Sequence, residues 1–202
     1  MTTGRSVLAE DTRISKLFHV ESSFSSQAEL IRQQFDGQLY GATGQAGGIS
    51  CLSYAFSSGA YGFLTANAEQ FFARNQLDAL LDEIAEWGAQ ALGTAYVSTP
   101  QVRVYIAGCS RTFARDEVDA KWHYLIWLTR FPAGMKSRGR VRLITDGNAS
   151  SRYSLTIHRT IDLEPKYNDL IVHDTACTYS LETRNLSMDP SEAIVFLDGY
   201  LW

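Results

Sequence analysis

The hydrophobic pattern changes period along the chain. Over residues 75–92 apolar positions recur every three or four: Leu77, Leu80, Leu81, Ile84, Gly88 and Ala91 form one stripe, the mark of an amphipathic helix. Asn75 is the expected cap, Asp78, Asp82 and Glu83 suit the N-terminal side, and Gly93 ends the element. A shorter helix is predicted upstream. There Ser26-Gln27-Ala28-Glu29 fits a capping box, Leu30, Ile31 and Phe35 follow at helical spacing, and Gly37 supplies a stop. After Pro100 the period becomes two: Val102, Val104 and Ile106 alternate with Arg103 and Tyr105. Further strands are predicted over 122–131, 140–144, 153–163, 170–173, 179–182 and 194–201. Short strands with turn signals and no helix between them imply an antiparallel sandwich or barrel. With helices ahead of them, the prediction is an α+β fold: a double-stranded β-helix (jelly roll) with N-terminal helices packed on its major sheet.

The chain reads as one domain over 1–202. Residues 1–24 form a lead-in with one short strand at 16–20, residues 25–99 a helical support, and residues 100–202 the β core. Between the helices, 41–62 carries Gly41, Gly44, Gly47, Gly48, Gly59 and Gly62 without a phosphate-binding glycine pattern, so it reads as a surface loop. Tyr54, Phe56, Tyr61 and Phe63 suggest that part of it packs down as a lid.

Composition narrows the partners. A chain of 202 residues with 45% hydrophobic residues can bury a sizeable core without metal or disulfide staples. A net charge of −4 argues against nucleic acid as a partner. No apolar run reaches the length of a membrane span, and the first residues lack the apolar stretch of a signal peptide, so a cytoplasmic location is expected. Cys51, Cys109 and Cys177 are odd in number and lack C-x-x-C spacing, which suits reduced core thiols.

Several motifs in the second half carry a family likeness. The run Pro165-Lys166-Tyr167-Asn168-Asp169-Leu170-Ile171-Val172-His173-Asp174 resembles a strand of the prolyl-hydroxylase-like iron(II)/2-oxoglutarate oxygenases. Met188-Asp189-Pro190-Ser191-Glu192 with Gly199-Tyr200 resembles the ending of that family. Tyr105-Ile106-Ala107-Gly108 and the run from Trp122 to Arg130 resemble two of its earlier strands. The likeness covers about residues 100–202; over 24–99 it amounts to compatible helices. It implies an H-x-D pair and a distant His holding iron on one face, and an Arg that pairs with the 2-oxoglutarate carboxylate. In the register of the resemblance, H-x-D falls on Ala114-Arg115-Asp116, the distant His on Tyr179 and the Arg on Ile194. Ala133-Gly134-Met135 stands at the family's Gly-Gly-Glu turn. Asp116 is then the one triad position kept, and no metal, iron or 2-oxoglutarate site is expected unless ligands are relocated to His123, His158 or His173.

Asp116, Tyr179, Tyr124 and His173 are the candidate catalytic residues. Tyr179 would donate or shuttle a proton, and Asp116 would accept one or orient a cation. Against this stands a structural role: Asp116 as a salt bridge to Arg115 or Arg130, and Tyr179 as a plug in an emptied cavity. His173 and Asp174 face opposite ways, as do His123 and Tyr124, and a satisfied core or surface role is the alternative for His123, His158 and His173. Arg138, Arg140 and Arg142 share one strand face, either solvated or turned to an anionic or acidic partner. Trp122, Trp127 and Trp202 read as core, with Trp202 also suited to an interface.

Two functions fit. The first is a repurposed enzyme performing a metal-independent, non-oxidative cyclisation, isomerisation or elimination on a small molecule, in natural-product biosynthesis as the resemblance implies. The second is a non-catalytic partner of an oxygenase or pathway protein, or a homodimer. An oxygenase with relocated ligands is a third. Polar side chains converging in the interior favour the enzyme; a plugged apolar interior favours the partner.

Overall fold

A computed structural model describes residues 7–12, 15–41, 55–57, 60–62, 64–105, 110–112, 119–130, 139–146, 158–183 and 192–202. Two strands open the chain, β1 (Val7–Thr12) and β2 (Ser15–Val20), the second of them at the predicted place. Helix α1 (Ser25–Gly41) follows, then β3 (Ala55–Ser57), β4 (Ala60–Gly62), β5 (Leu64–Asn67) and helix α2 (Arg74–Leu92). Eight strands complete it: β6 (Gln101–Tyr105), β7 (Ser110–Thr112), β8 (Trp122–Trp127), β9 (Gly139–Asp146), β10 (His158–Leu163), β11 (Leu170–Asp174), β12 (Thr178–Thr183) and β13 (Ile194–Leu201).

The thirteen strands among the described residues divide between two antiparallel sheets. The major sheet has the order β1-β2-β11-β8-β13-β6-β5, and the minor sheet β10-β9-β12-β7-β4-β3. Successive strands mostly change sheet, which is the winding of a double-stranded β-helix. The α+β jelly roll expected from the pattern is the fold observed.

Both helices cover the outer face of the major sheet. Leu77, Leu80, Ile84, Trp87 and Gly88 are the buried stripe of α2, and Gly88 approaches so closely that a Cβ there would lie 3.2 Å from Leu201 Cδ2. Trp87 meets Phe18 of β2 edge to face, with ring centroids 5.7 Å apart. Ala28, Ile31 and Phe35 are the buried positions of α1, joined by Arg32, whose guanidinium bonds to the Leu128 carbonyl and to Asp36.

The helix ends differ from expectation. Helix α1 continues four residues past Gly37, because one glycine costs only about 1 kcal/mol against the packing of a whole helix. Glu29 does not close a capping box; its carboxylate serves Arg130, Tyr167 and Gln33. Ala73, not Asn75, caps α2, without a side-chain bond, while Gly93 closes it in the left-handed conformation at φ 73°. Ala91 is exposed and Trp87 takes its place in the stripe. Of the predicted glycine-rich loop, 55–57 and 60–62 are paired strands at the edge of the minor sheet; 42–54 lies outside the described residues.

Asn168 explains the motif around it. It takes a left-handed φ of 68°, which Asn tolerates better than most residues. Its side chain accepts from the Phe24 N–H, its own N–H donates to the Trp127 carbonyl, and its carbonyl accepts from Ser23. One residue thereby ties the start of α1 to the end of β8. No helix among the described residues is long and apolar enough to cross a membrane.

Candidate functional site

Side-chain alternation decides what enters the space between the sheets. On β13, Ile194, Phe196, Asp198 and Tyr200 share one face, and Leu201 on the other meets α2. A Cβ at Gly139 of the minor sheet would lie 2.7 Å from Ile194 Cδ1 and 3.0 Å from Trp127 Cζ2, so Ile194 and Trp127 face inward. His123 also faces inward, because its ring stacks on Tyr179 of β12. Pairing of β11 with β8 sets His173 opposite His123, and pairing of β13 with β8 sets Tyr200 opposite His123.

The polar half of this interior is one chain of ion pairs and hydrogen bonds. Arg103 Nε donates to Asp198 Oδ1 at 2.7 Å, and Asp198 Oδ2 lies 3.4 Å from His123 Nε2. His123 Nδ1 is 3.0 Å from His173 Nε2, and His173 Nδ1 is 3.0 Å from the Asp174 carbonyl. Tyr179 packs on both imidazoles, 5.1 Å from the His123 ring and 5.3 Å from that of His173. Tyr200 lies 5.0 Å from the His123 ring on the other side. His123, His173, Tyr179 and Asp198 are all buried.

Burial and charge act against each other here. Burial pushes the Asp198 carboxyl up, but Arg103 and then His123 outweigh it and hold the group well below the usual carboxylate range. Burial also disfavours charge on Arg103, yet the facing carboxylate keeps its pKa above the ordinary value. His173 is lowered to about 3, by burial first and by neighbouring His123 second, so it is neutral at physiological pH.

The other half of the interior is aromatic. Tyr105, Phe196 and Trp127 stack across β6, β13 and β8 with successive centroids 5.6 Å apart and planes within 4°. Ile194 and Gly139 close this end, and the buried indole N–H of Trp127 has no hydrogen-bond partner among the described residues.

Two candidates, Tyr179 and His173, therefore meet. Tyr124 does not join them: it alternates with His123 and points to the helix side, where its hydroxyl donates to the Ser98 carbonyl and a Cβ at Gly199 would lie 2.5 Å from that oxygen. Burial pushes its phenol pKa up, with Asp198 adding to the effect. Asp116, Arg138, Cys51 and Cys109 lie outside the described residues, as do 133–135 and the side chain of His158; Cys177 is buried. Arg140 and Arg142 pair with Asp162, Glu164 and Glu182 on their own sheet. Trp122 and Trp127 are core, whereas Trp202 is exposed and meets exposed Tyr96 edge to face. Asp198 and Arg103 were not among the candidate catalytic residues. The signal for Asp198 was present: it is the one charge within an otherwise apolar final strand.

Iron and 2-oxoglutarate can be tested against these side chains. Among the described residues, no three His, Cys, Asp or Glu are grouped to hold a metal ion. The four ring nitrogens of His123 and His173 are turned to each other, to Asp198 and to a carbonyl, and not toward one common point. Arg103 is engaged by Asp198 and Arg130 by Glu29, while Ile194 offers no donor. The described residues do not fit a two-histidine, one-carboxylate iron centre or a fork for a dicarboxylate.

No family model matches the sequence, and no curated protein matches it. Solved structures do resemble the fold. A prolyl-4-hydroxylase of Pseudomonas putida aligns at TM-score 0.57 and 15% identity, covering 92% of this chain and 91% of that one. The non-heme alpha-ketoglutarate-dependent carbocyclase SnoK of nogalamycin biosynthesis aligns at TM-score 0.62 and 13% identity, covering 94% and 80%. The epimerase SnoN of the same biosynthesis aligns at TM-score 0.59 and 10% identity, covering 93% and 78%. With the two-sheet winding and the helical cover, these likenesses identify the fold: the chain is built as the double-stranded β-helix of the iron(II)/2-oxoglutarate oxygenases.

Proposed function

We propose that this chain is a metal-independent enzyme that uses the oxygenase fold as a chamber for a non-oxidative cyclisation, isomerisation or elimination on a small molecule of the natural-product type. One observation carries the reading: Arg103, Asp198, His123 and His173 from the major sheet and Tyr179 from the minor sheet converge in the interior as one cluster of ion pairs, hydrogen bonds and stacked rings. A buried polar chain is costly unless satisfied, and clusters of this kind are enriched at functional sites. The resemblance places Tyr179 and Ile194 where a metal histidine and a cosubstrate arginine would stand, and the engaged imidazoles weigh against ligands relocated to His123 and His173. Tyr179 is the proposed proton donor, Asp116 remains a proposed acceptor, and His173 is neutral and serves orientation. The solved neighbours SnoK and SnoN, a carbocyclase and an epimerase by name, make ring closure and isomerisation reasonable classes to test.

The test is conversion of candidate polycyclic and carbonyl-bearing substrates with the purified protein under nitrogen and with a strong chelator, read by mass spectrometry. The expected product is of equal mass or lighter by one water. Tyr179→Phe should lower the rate by about 10²–10⁴-fold, as loss of a general acid does, while stability barely changes because volume is conserved. A reaction that requires oxygen and 2-oxoglutarate, or one that Tyr179→Phe leaves untouched, would overturn the reading.

The aromatic half supports a second reading. Ile194, Trp127, Phe196 and Tyr105 fill the end of the interior against Gly139, as a plug would in a non-catalytic partner protein or homodimer. A chain that converts nothing, and whose Tyr179→Ala variant loses stability through the cavity it opens, would support it.

A further inference from the structure

A second histidine–carboxylate pair stands on the inner face of the major sheet, outside the cluster described above. Phe18 of β2 meets Trp87 of α2, so alternation turns its neighbours Leu17 and His19 inward. Register sets Leu17 opposite His173 and His19 opposite Ile171. His19 is therefore the diagonal neighbour of His173, about 7–8 Å away along the sheet, and His173 packs against Tyr179.

His19 Nε2 lies 2.8 Å from Asp169 Oδ2. The Asp169 side chain is only 1% exposed, and its carboxylate also faces two backbone donors, the Lys166 N–H at 2.8 Å and the Ser22 N–H at 3.4 Å. Oxygens placed among donors accept, so His19 Nε2 is the donor of its bond. In the neutral ring the lone pair then sits on Nδ1, which has no hydrogen-bond partner among the described residues. The His19 side chain keeps 14% of its surface exposed, so this nitrogen is within reach of a small molecule. The other two inner-face imidazoles have both nitrogens engaged, His123 by Asp198 and His173, and His173 by His123 and the Asp174 carbonyl. Asp198 is itself paired with Arg103.

We propose that His19 is a catalytic base, with Asp169 as its positioning residue. A carboxylate behind one imidazole nitrogen orients the ring and stabilises the imidazolium that forms when the other takes a proton. The inference deepens the proposed function and rests on it: an isomerisation needs a proton removed as well as one delivered. The substrate class is a carbonyl compound with an acidic C–H beside the carbonyl. That C–H bond breaks, its electron pair moves into the double bond of an enol, and the proton goes to His19 Nδ1 while Tyr179 protonates the carbonyl oxygen. Return of the His19 proton to another carbon, and of the enol proton to Tyr179, completes the isomerisation without oxidant or reductant.

Diethyl pyrocarbonate, which acylates an unprotonated imidazole nitrogen, tests the pair without a substrate. Peptide mass mapping at neutral pH should find His19 modified ahead of buried His123 and His173, and Asp169→Asn should slow that reaction by about tenfold or more. A His19 that stays unmodified overturns the proposal. So does an unchanged or faster reaction in Asp169→Asn, which is what a purely structural clamp between β2 and β11 would give once loosened. In turnover of carbonyl substrates, His19→Ala should lose about 10²–10⁴-fold in rate, and free imidazole should restore part of it, which no structural role allows. Should His19→Ala not fold, His19→Gln keeps an N–H for Asp169 and should lose the reaction equally. Full activity in the His19 variants, with Tyr179→Phe impaired, ends the base and leaves the function standing. Impaired His19 variants with Tyr179→Phe silent would end the proton-donor reading and leave the base.

Discussion

The inner face of the major sheet is one surface with two chemistries. Strands β6, β8 and β13 each place a polar or charged side chain toward one end and an aromatic ring toward the other: Arg103 and Tyr105, His123 and Trp127, Asp198 and Phe196. The aromatic half is held by shape, with parallel rings against a glycine. The polar half is held by paired charges and hydrogen bonds that run from Arg103 through Asp198 and the two imidazoles to the Asp174 carbonyl. A fault in the first half costs packing, and a fault in the second strands a charge.

The largest expected difference lies in the polar half. Asp198→Ala removes the carboxylate that both Arg103 and His123 face, and breaking a buried pair typically costs about 3–5 kcal/mol. Chemical denaturation should show that loss, and a cost under about 1 kcal/mol would mean that water relieves the charges.

Acid comes next. The folded pKa of His173 is lowered to about 3 while the unfolded chain titrates near the ordinary value of 6.5, so between these values the unfolded state binds the extra proton. Stability should fall as pH drops through that window. Asp198, held below its ordinary range, adds its loss at the acid end, where its carboxylate protonates. Urea midpoints measured from neutral to acid pH should slope for the wild type and flatten for His173→Gln; equal slopes would place the proton elsewhere.

The smallest effect belongs to the aromatic half. Gly139→Ala should cost about 1–3 kcal/mol by overpacking, since its Cβ would meet Ile194 Cδ1 at 2.7 Å. Ile194→Val deletes that atom and should recover part of the loss in the double variant. Strict additivity of the two changes would show that the contact is not shared.

Local pattern was enough for much of the fold. Alternation in β6 and the apolar run of β13 marked strands, and the α2 stripe with Gly93 marked a helix that ends where expected. The misses are non-local. Helix α1 passes Gly37 because the packing that sustains it comes from elsewhere in the chain. The site was half legible: alternation says that His123 and Tyr124 face opposite ways, but not which looks inward. That choice is made by β11 and β13, some 50 and 75 residues downstream in sequence, through pairing that sets His173 and Tyr200 opposite His123. Asp198 could have been flagged as a lone charge in an apolar strand; its partners Arg103 and His123 could not.

The contact between Tyr124 and Gly199 acts as an assembly gauge. Gly199 pairs with Tyr124, and there is no room for a Cβ beneath the ring. Were β13 to dock two residues out of step, Tyr124 would meet Leu197 or Leu201, and the ring would find no recess. Were it to dock one residue out of step, Asp198 would be turned under the helices. A steric check on the helix-covered side of the sheet thus aligns the charges on the opposite side, so that a missing side chain at Gly199 secures a buried ion pair it never touches.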